Sequence, residues 1–494
     1  MKNAIRFLSL ILAGILLAGL VACKTNNPGE TGTTAEKPTD TGTDSPYADM
    51  PSIPEVDYTG MEFRILARNA YAYYSDELWV ASDNLATQVN SAVFSRYKKI
   101  EEAYHVTFKL DSRLDENEIQ QWVTTAARVA DASDVYHLVA THGSRCPVYA
   151  VEGFSADWNR LPYVNLGADW WSQDAQQQWT ALSGSIYMMT GDISYLSVGE
   201  AVGQFFNKNL LRNVGLDTPY QLVRDGKWTY ENFKMYKEQL SDSLDGDGSR
   251  NIATDKAAYV TGWWRGPMNV AYSTGGRWLE VGEDDITVIG ANDHNLTTVF
   301  DDYFAMLKTG SIIIQGNYAD AWDAFNANRI GFYDDLTLNA KEFSKAGTSF
   351  GLVPMPKASE NVKQNYTFVN AATNTFMVPA AVLGDSKTTE MTSVVLELMA
   401  YYGSKDVLPT YYKEVLTTGT QTDAESVEMM GIIRKSLVYD LGYYYNIGGI
   451  SGIGQIMAEE LLKKNYGEIG SFSTKYMQYS DLVDKYLKDW KALD

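Results

Sequence analysis

Between residues 61 and 140 the apolar spacing switches repeatedly between a two-residue and a three-to-four-residue step, which restricts the folds open to this chain. "MEFRILA" (61–67) is a short apolar strand. Over 82–104, Leu85, Val89, Val93, Tyr97, Ile100 and Tyr104 line one helix face, with Ser82 or Asp83 as the expected N-cap. "HVTFKLD" (105–111) alternates with Val106, Phe108 and Leu110 on one side, "ENEIQQWVTTAARVA" (116–130) is helical, and "DVYHLVA" (134–140) is again a strand. Strands alternating with helices predict an α/β layer on a mainly parallel sheet. Ligands in such sheets lie at the carboxyl ends of the strands, which directs attention to the loops beginning at Arg68 and Thr141.

A second block repeats the pattern. "GQFFNK" (203–208) is a strand leading into a helix ended by Gly215, and Thr229 caps a helix within "KWTYENFKMYKEQL", with Glu231 in its first turn. "NRIGFYDDLTL" (328–338) and "FGLVPMP" (350–356) are further strands; Pro354 and Pro356 assign the latter to an edge or a crossing segment. From 387 onward the spacing is mostly helical, most clearly in "SKTTEMTSVVLELMAYYG".

The N-terminal residues read as an export signal: Lys2 and Arg6 precede an apolar run too short for a comfortable membrane span. Leu20-Val21-Ala22-Cys23 resembles the lipobox of bacterial lipoproteins, which implies a signal peptide over 1–23 and a lipid on Cys23 that holds the chain at the extracytoplasmic face of the cell membrane. Residues 24–56, rich in Thr, Gly, Pro and Asp, form the expected flexible tether. With Cys146 the only other cysteine, no disulfide framework is available. The net charge is −21, near −23 once Lys2 and Arg6 are removed, which argues against nucleic acid and against a grip on anionic lipid. The 33 Tyr and 12 Trp suit a surface that stacks on sugar rings.

Five segments occur in order: "FFNKNLLRNVGLDTPY…GKWTYENF", "DGDGSRNIATDKAAYV", "ANRIGFYDDLTL", "SFGLVPMPK" and "YTFVNAATNTFMVPAA". This set resembles the extracellular solute-binding proteins of ABC importers, family 1, the maltose-binding-protein-like group. The resemblance implies an α/β, two-lobed periplasmic-binding-protein-like fold of type II, with solute held in the cleft between lobes joined by crossing segments. It implies crossings near 196–204 and 350–356 and after the helices around 389–417, giving one lobe from 57–198 plus 355–415 and another from 199–354 plus 416–494. The expected function is a lipid-anchored receptor that binds a sugar or oligosaccharide and delivers it to the membrane subunits of an ABC permease, acting as a monomer and not as an enzyme. The alternatives are a receptor for peptides or other small solutes and a secreted glycan-degrading enzyme.

Maltose-binding members carry an acidic residue seven positions before the Asn of "NK"; here that position is Glu200, beside the solute if the resemblance holds. Thr141, His142 and Arg145 occupy the family's ligand loop, without the Asp-Arg pair of maltose binders. Trp263 and Trp264, read as adjacent strand residues, place at most one ring toward the cleft. Asp334 and Asp335 stand where maltose-binding protein has a stacking Trp, so polar recognition replaces stacking there. Tyr71, Tyr73 and Tyr74 after the first strand, and Tyr443 or Tyr444 in "DLGYYYN", are further candidates. Asp245 and Asp247 alternate with small residues as in calcium loops, but Ser243 and Thr254 fall where an EF-hand needs acids, so no cofactor is expected and calcium is a weak alternative. "GTSFG" (347–351) matches a nucleophile-elbow spacing, but the following prolines deny it a helix; His105, His137, His142 and His294 show no metal spacing, and no phosphate-binding loop is present.

Overall fold

Two sheets organise the computed structural model of the chain, which describes residues 49–113, 115–129, 135–181, 184–240, 250–281, 286–288, 294–447, 449, 453–463 and 472–491. Cys23 and the calcium candidates Asp245 and Asp247 lie outside the described residues. In chain order the strands of the two sheets are β1 (Glu62–Arg68), β2 (Thr107–Arg113), β3 (Leu138–His142), β4 (Val202–Asn207), β5 (Ala257–Gly262), β6 (Ser311–Ile314), β7 (Ile330–Leu336), β8 (Phe350–Pro354) and β9 (Asn374–Met377). The first sheet has the order β9-β3-β1-β2 and the second β8-β4-β7-β5-β6.

Each sheet is mainly parallel, as expected, with one strand reversed. In the first, β1 runs parallel to β2 and β3, and β9 joins antiparallel to β3. In the second, β5 runs parallel to β6 and β7, while β4 is antiparallel to β7 and β8. The antiparallel strands are those that enter a sheet from a crossing segment rather than through a covering helix, and a direct return permits the opposite direction. Pro354 ends β8, the edge strand, where its missing N–H is tolerated.

The helix expected over 82–104 begins later, at Gln88. Thr87 is its N-cap, its hydroxyl accepting from the Asn90 N–H at 3.0 Å, in place of Ser82 or Asp83. Leu85 accordingly lies outside the helix and is exposed, whereas Val89, Val93, Tyr97 and Ile100 are buried as their spacing predicts. Thr229 caps the Tyr230–Gln239 helix as expected, accepting from Asn232 N at 3.3 Å. Cys146 is buried without a disulfide, and burial pushes its thiol up to about 12.

Three passages connect the sheets. The first runs through the Leu196–Gly199 turn into β4. The second leaves β8 after Pro354 and reaches β9 at Asn374; it lies later than the expected 350–356, because β8 stays paired to β4 throughout. The two run side by side: Ala201 bridges Val369, and Asn370 N donates to Glu200 O at 3.0 Å. The third joins the Leu408–Val415 helix, packed on Gln88–Tyr104, to the Ala424–Lys435 helix, packed on β8. Residues 49–494 nonetheless form one compact unit, so the two halves are in contact across these passages.

Candidate solute-binding cleft

Both sheets direct the carboxyl ends of their parallel strands toward the paired passages. β1 ends in Arg68, which is 4% exposed. Its guanidinium carbon lies 3.6 Å over the Tyr74 ring; Nε donates to Asn374 Oδ1 at 2.9 Å and faces Glu116 Oε1 at 3.6 Å, and Nη2 donates to Ala372 O. One side chain thus joins the first sheet to the returning passage. Glu116, in the first helical turn after β2, also accepts from the Thr141 hydroxyl at 2.5 Å and from His142 N at 3.1 Å.

The second sheet repeats the device. The chain leaves β5 through Trp263 and Trp264 into the Arg265–Ser273 helix. Arg265 pairs with Asp335 at the end of β7, and its guanidinium carbon lies 3.8 Å over the Tyr318 ring. Asp335 also accepts from Trp322 Nε1 at 2.8 Å, Asn339 Nδ2 at 2.8 Å and Leu336 N at 2.6 Å. A fully desolvated ion pair persists only when its remaining hydrogen-bonding positions are filled in this way.

Glu200 lies between the two devices, 1% exposed at the end of the first passage. It accepts from Asn370 Nδ2 at 2.9 Å and from Tyr74 OH at 3.3 Å. Burial pushes its carboxyl above the usual carboxylate range; the Asn370 amide, Arg68, Arg265 and Tyr74 pull it back. Glu200 thus lies at the seam, bonded both to the returning passage and to a tyrosine of the first half.

The other expected residues divide into two groups. Around Glu200 lie Tyr73, half-buried and pushed up to about 12 by burial and the Glu200 charge, and Tyr443, whose hydroxyl accepts from Ala371 N at 3.3 Å and whose ring meets Phe368 edge-on at 5.0 Å. Trp264 also packs on Phe368, at 5.9 Å, so rings from the second half and from the C-terminal block meet on the returning passage. Tyr71 is 62% exposed and stacks parallel on Tyr73 at 5.4 Å. Tyr444 is buried, so tightly against the first half that a Cβ on Gly143 would stand 2.5 Å from its ring.

The second group is committed to structure. Asp334 is fully buried and accepts from Tyr259 OH and from Gln204 Nε2 at 3.1 Å, so it offers nothing to a solute; burial pushes it up to about 7. Asp335 is taken up by Arg265 and three further donors. Adjacent strand residues face opposite sides, which is why the two acids serve different partners. Trp263 and Trp264 do not alternate on a strand as expected: β5 ends at Gly262, and Trp264 is the N-cap of the next helix. Thr141 is fully buried against Glu116. His142 is held neutral, pushed down to about 3 by burial and by Arg68 and Arg145, with Nδ1 2.9 Å from Ser144 Oγ. Arg145 is exposed at the N-cap of the Cys146–Val151 helix. Sequence reasoning missed Arg68, Glu116, Arg265, Tyr318 and Asn370. Arg68 had a signal, as a cation closing an apolar strand; the others become visible only when the two sheets are assembled. Among the described residues no group of three or more His, Cys, Asp or Glu is placed to hold a metal ion.

Two α/β halves joined by adjacent passages, with strand carboxyl ends converging on a passage carboxylate, define the two-lobed fold of solute-binding proteins of ABC transporters. The similarity to solved structures of that fold spans both halves. The sugar-binding protein MalE from Xanthomonas citri aligns at a TM-score of 0.58 and 12% identity, over 88% of this chain and 99% of that one. A cyclo/maltodextrin-binding protein complexed with maltotetraose aligns at 0.56 and 11%, over 86% and 96%. The GacH receptor of Streptomyces glaucescens, solved with acarbose, aligns at 0.52 and 15%, over 87% and 98%. No protein-family model and no curated protein matches the sequence.

Proposed function

We propose that this protein is a lipid-anchored extracytoplasmic receptor that closes over a sugar or oligosaccharide at Glu200 and delivers it to an ABC permease. The observation that carries the reading is the buried carboxylate of Glu200 where the passages meet, held by Asn370 of the returning passage and Tyr74 of the first half. A carboxylate at such a seam accepts hydrogen bonds from hydroxyls, and the nearby Tyr73 and Tyr443 rings supply apolar faces for the C–H side of a pyranose. Several proteins of this fold hold oligosaccharides, which supports the same solute class. Solute touching both halves favours the closed arrangement by its differential contacts. The lipobox-like Cys23 and the tether support the anchor, which raises the receptor's effective concentration at its permease. No helix among the described residues is long and apolar enough to cross a membrane.

A thermal-shift screen of neutral malto-, xylo- and galacto-oligosaccharides, acidic oligosaccharides and short peptides, followed by calorimetry on each hit, tests the reading. At least one saccharide raises the melting temperature and is recovered chemically intact. Binding by peptides alone, or cleavage of the saccharide, contradicts it.

A further inference from the structure

Beside the Glu200 seam lies a groove of about 610 Å³, bordered by Tyr73 and Asp76 from the first half, Tyr195 and Tyr411 at the passages, and Lys341 from the Ala340–Ala346 helix of the second half. Tyr73 and Tyr411 border the groove and both feel the Glu200 charge.

Lys341 is half-buried, and its ammonium lies 5.3 Å from the centre of the Tyr73 ring, across the boundary between the halves. The acid next to it in sequence, Glu342, pairs with Lys345 at 3.8 Å. Lys341 itself makes no ion pair among the described residues. Burial lowers its affinity for the proton, and the neighbouring Glu342 charge offsets part of that. Two acids border the groove. Glu414 is occupied by the helix start it serves, accepting from Val89 N at 2.9 Å, and Asp76 is bonded to Asn84 and pushed up by burial.

We propose that this groove is a subsite for an anionic unit of the solute, a uronate whose carboxylate pairs with Lys341 while its ring lies against Tyr73. The inference rests on the receptor reading and narrows it from sugars in general to acidic oligosaccharides. An ammonium over an aromatic face has part of its charge satisfied and retains the capacity for an ion pair, which a carboxylate supplies and a neutral hydroxyl does not. Tyr71, stacked parallel on Tyr73, covers one side of that ring and offers its own exposed face where the remainder of an oligomer would leave the groove.

The test is calorimetric titration with oligogalacturonides, oligomannuronides and oligoguluronides, each beside its carboxyl-reduced, uncharged counterpart, with neutral malto- and xylo-oligosaccharides as a third arm. The expected result is that one oligouronide binds more tightly than its reduced form by about tenfold or more, the range of one hydrogen bond to a charged group. Lys341→Met, which keeps the apolar stem, removes that preference and leaves the reduced form's affinity unchanged; Lys341→Arg retains it. Equal binding of charged and reduced forms, or a preference that survives Lys341→Met, overturns the subsite. If only neutral sugars bind, the subsite falls and the receptor reading stands. If no saccharide in any arm binds, both fall.

Discussion

Arg68 and Arg265 occupy corresponding places in the two halves and are used differently. Each lies at or just beyond the carboxyl end of a parallel strand, each lies flat on a tyrosine, and each faces a carboxylate. Arg265 is internal to its half: its partner Asp335 sits on the neighbouring strand and is saturated by donors from the same block. Arg68 spends its donors on Ala372 and Asn374, on the passage that returns from the other half. One arginine rigidifies a lobe, and the other ties a lobe to its hinge. A motion that opens the seam can leave the Arg265–Asp335 pair intact but must be accommodated around Arg68.

The comparison is broken most forcefully at Asp335. Asp335→Ala strands a buried guanidinium and should lower stability by about 3–5 kcal/mol in urea unfolding, whereas an apolar pair, Arg265→Met with Asp335→Leu, should recover much of that loss. A loss under about 1 kcal/mol would show the pair to be solvated and the contrast with Arg68 unfounded. Arg68→Met should cost less, about 1–3 kcal/mol for the lost bonds to Ala372 and Asn374, and should also weaken solute binding. If it lowers stability as much as Asp335→Ala and leaves affinity unchanged, the division of roles is wrong.

Glu200→Gln sharpens the comparison by leaving both arginines in place and removing the charge they share. Solute affinity should fall about tenfold or more, while the unfolding free energy changes by under about 1 kcal/mol, because Gln keeps an acceptor for Asn370. Calorimetry beside urea unfolding separates the two effects. A further expected effect is one of pH. Asp334 has a folded-state value of about 7, above the usual carboxylate value near 4, so the folded protein holds a proton that the unfolded chain releases. That contribution is fully present below about pH 4 and is lost as pH rises through 7. The melting temperature of the natural protein minus that of Asp334→Asn should therefore decline between pH 5 and pH 8. A difference that stays level would place the Asp334 carboxyl in its ordinary range.

Much of the fold was legible because local spacing and burial agree. β1, β7 and the helices over 88–104 and 386–402 lie within or close to the segments whose periodicity predicts them. The late start of the 88–104 helix was not, since Ser82, Asp83 and Thr87 are all competent caps and only the packing of the preceding loop chooses among them. The position of one candidate was legible: Glu200, singled out by its offset from Asn207, lies where the passages meet. The Asp334–Asp335 pair misled for a physical reason. Two acids on a strand look like recognition until the donors that neutralise them, Tyr259, Gln204, Arg265 and Trp322, are brought in from other strands and helices. Lys341 gave no sequence signal, because its isolation depends on where Glu342 turns.

The most direct test of closure around a solute is a distance measured between the halves. In the Cys23→Ser protein, spin labels at Val148→Cys on the first half and Met235→Cys on the second report that distance by double electron–electron resonance; both positions are exposed and the native Cys146 is buried. A saccharide found in the thermal-shift screen should shorten and narrow the distribution, and Glu200→Gln should require more of it to do so. A distribution that is the same with and without saturating saccharide would contradict a receptor that clamps its solute between two lobes.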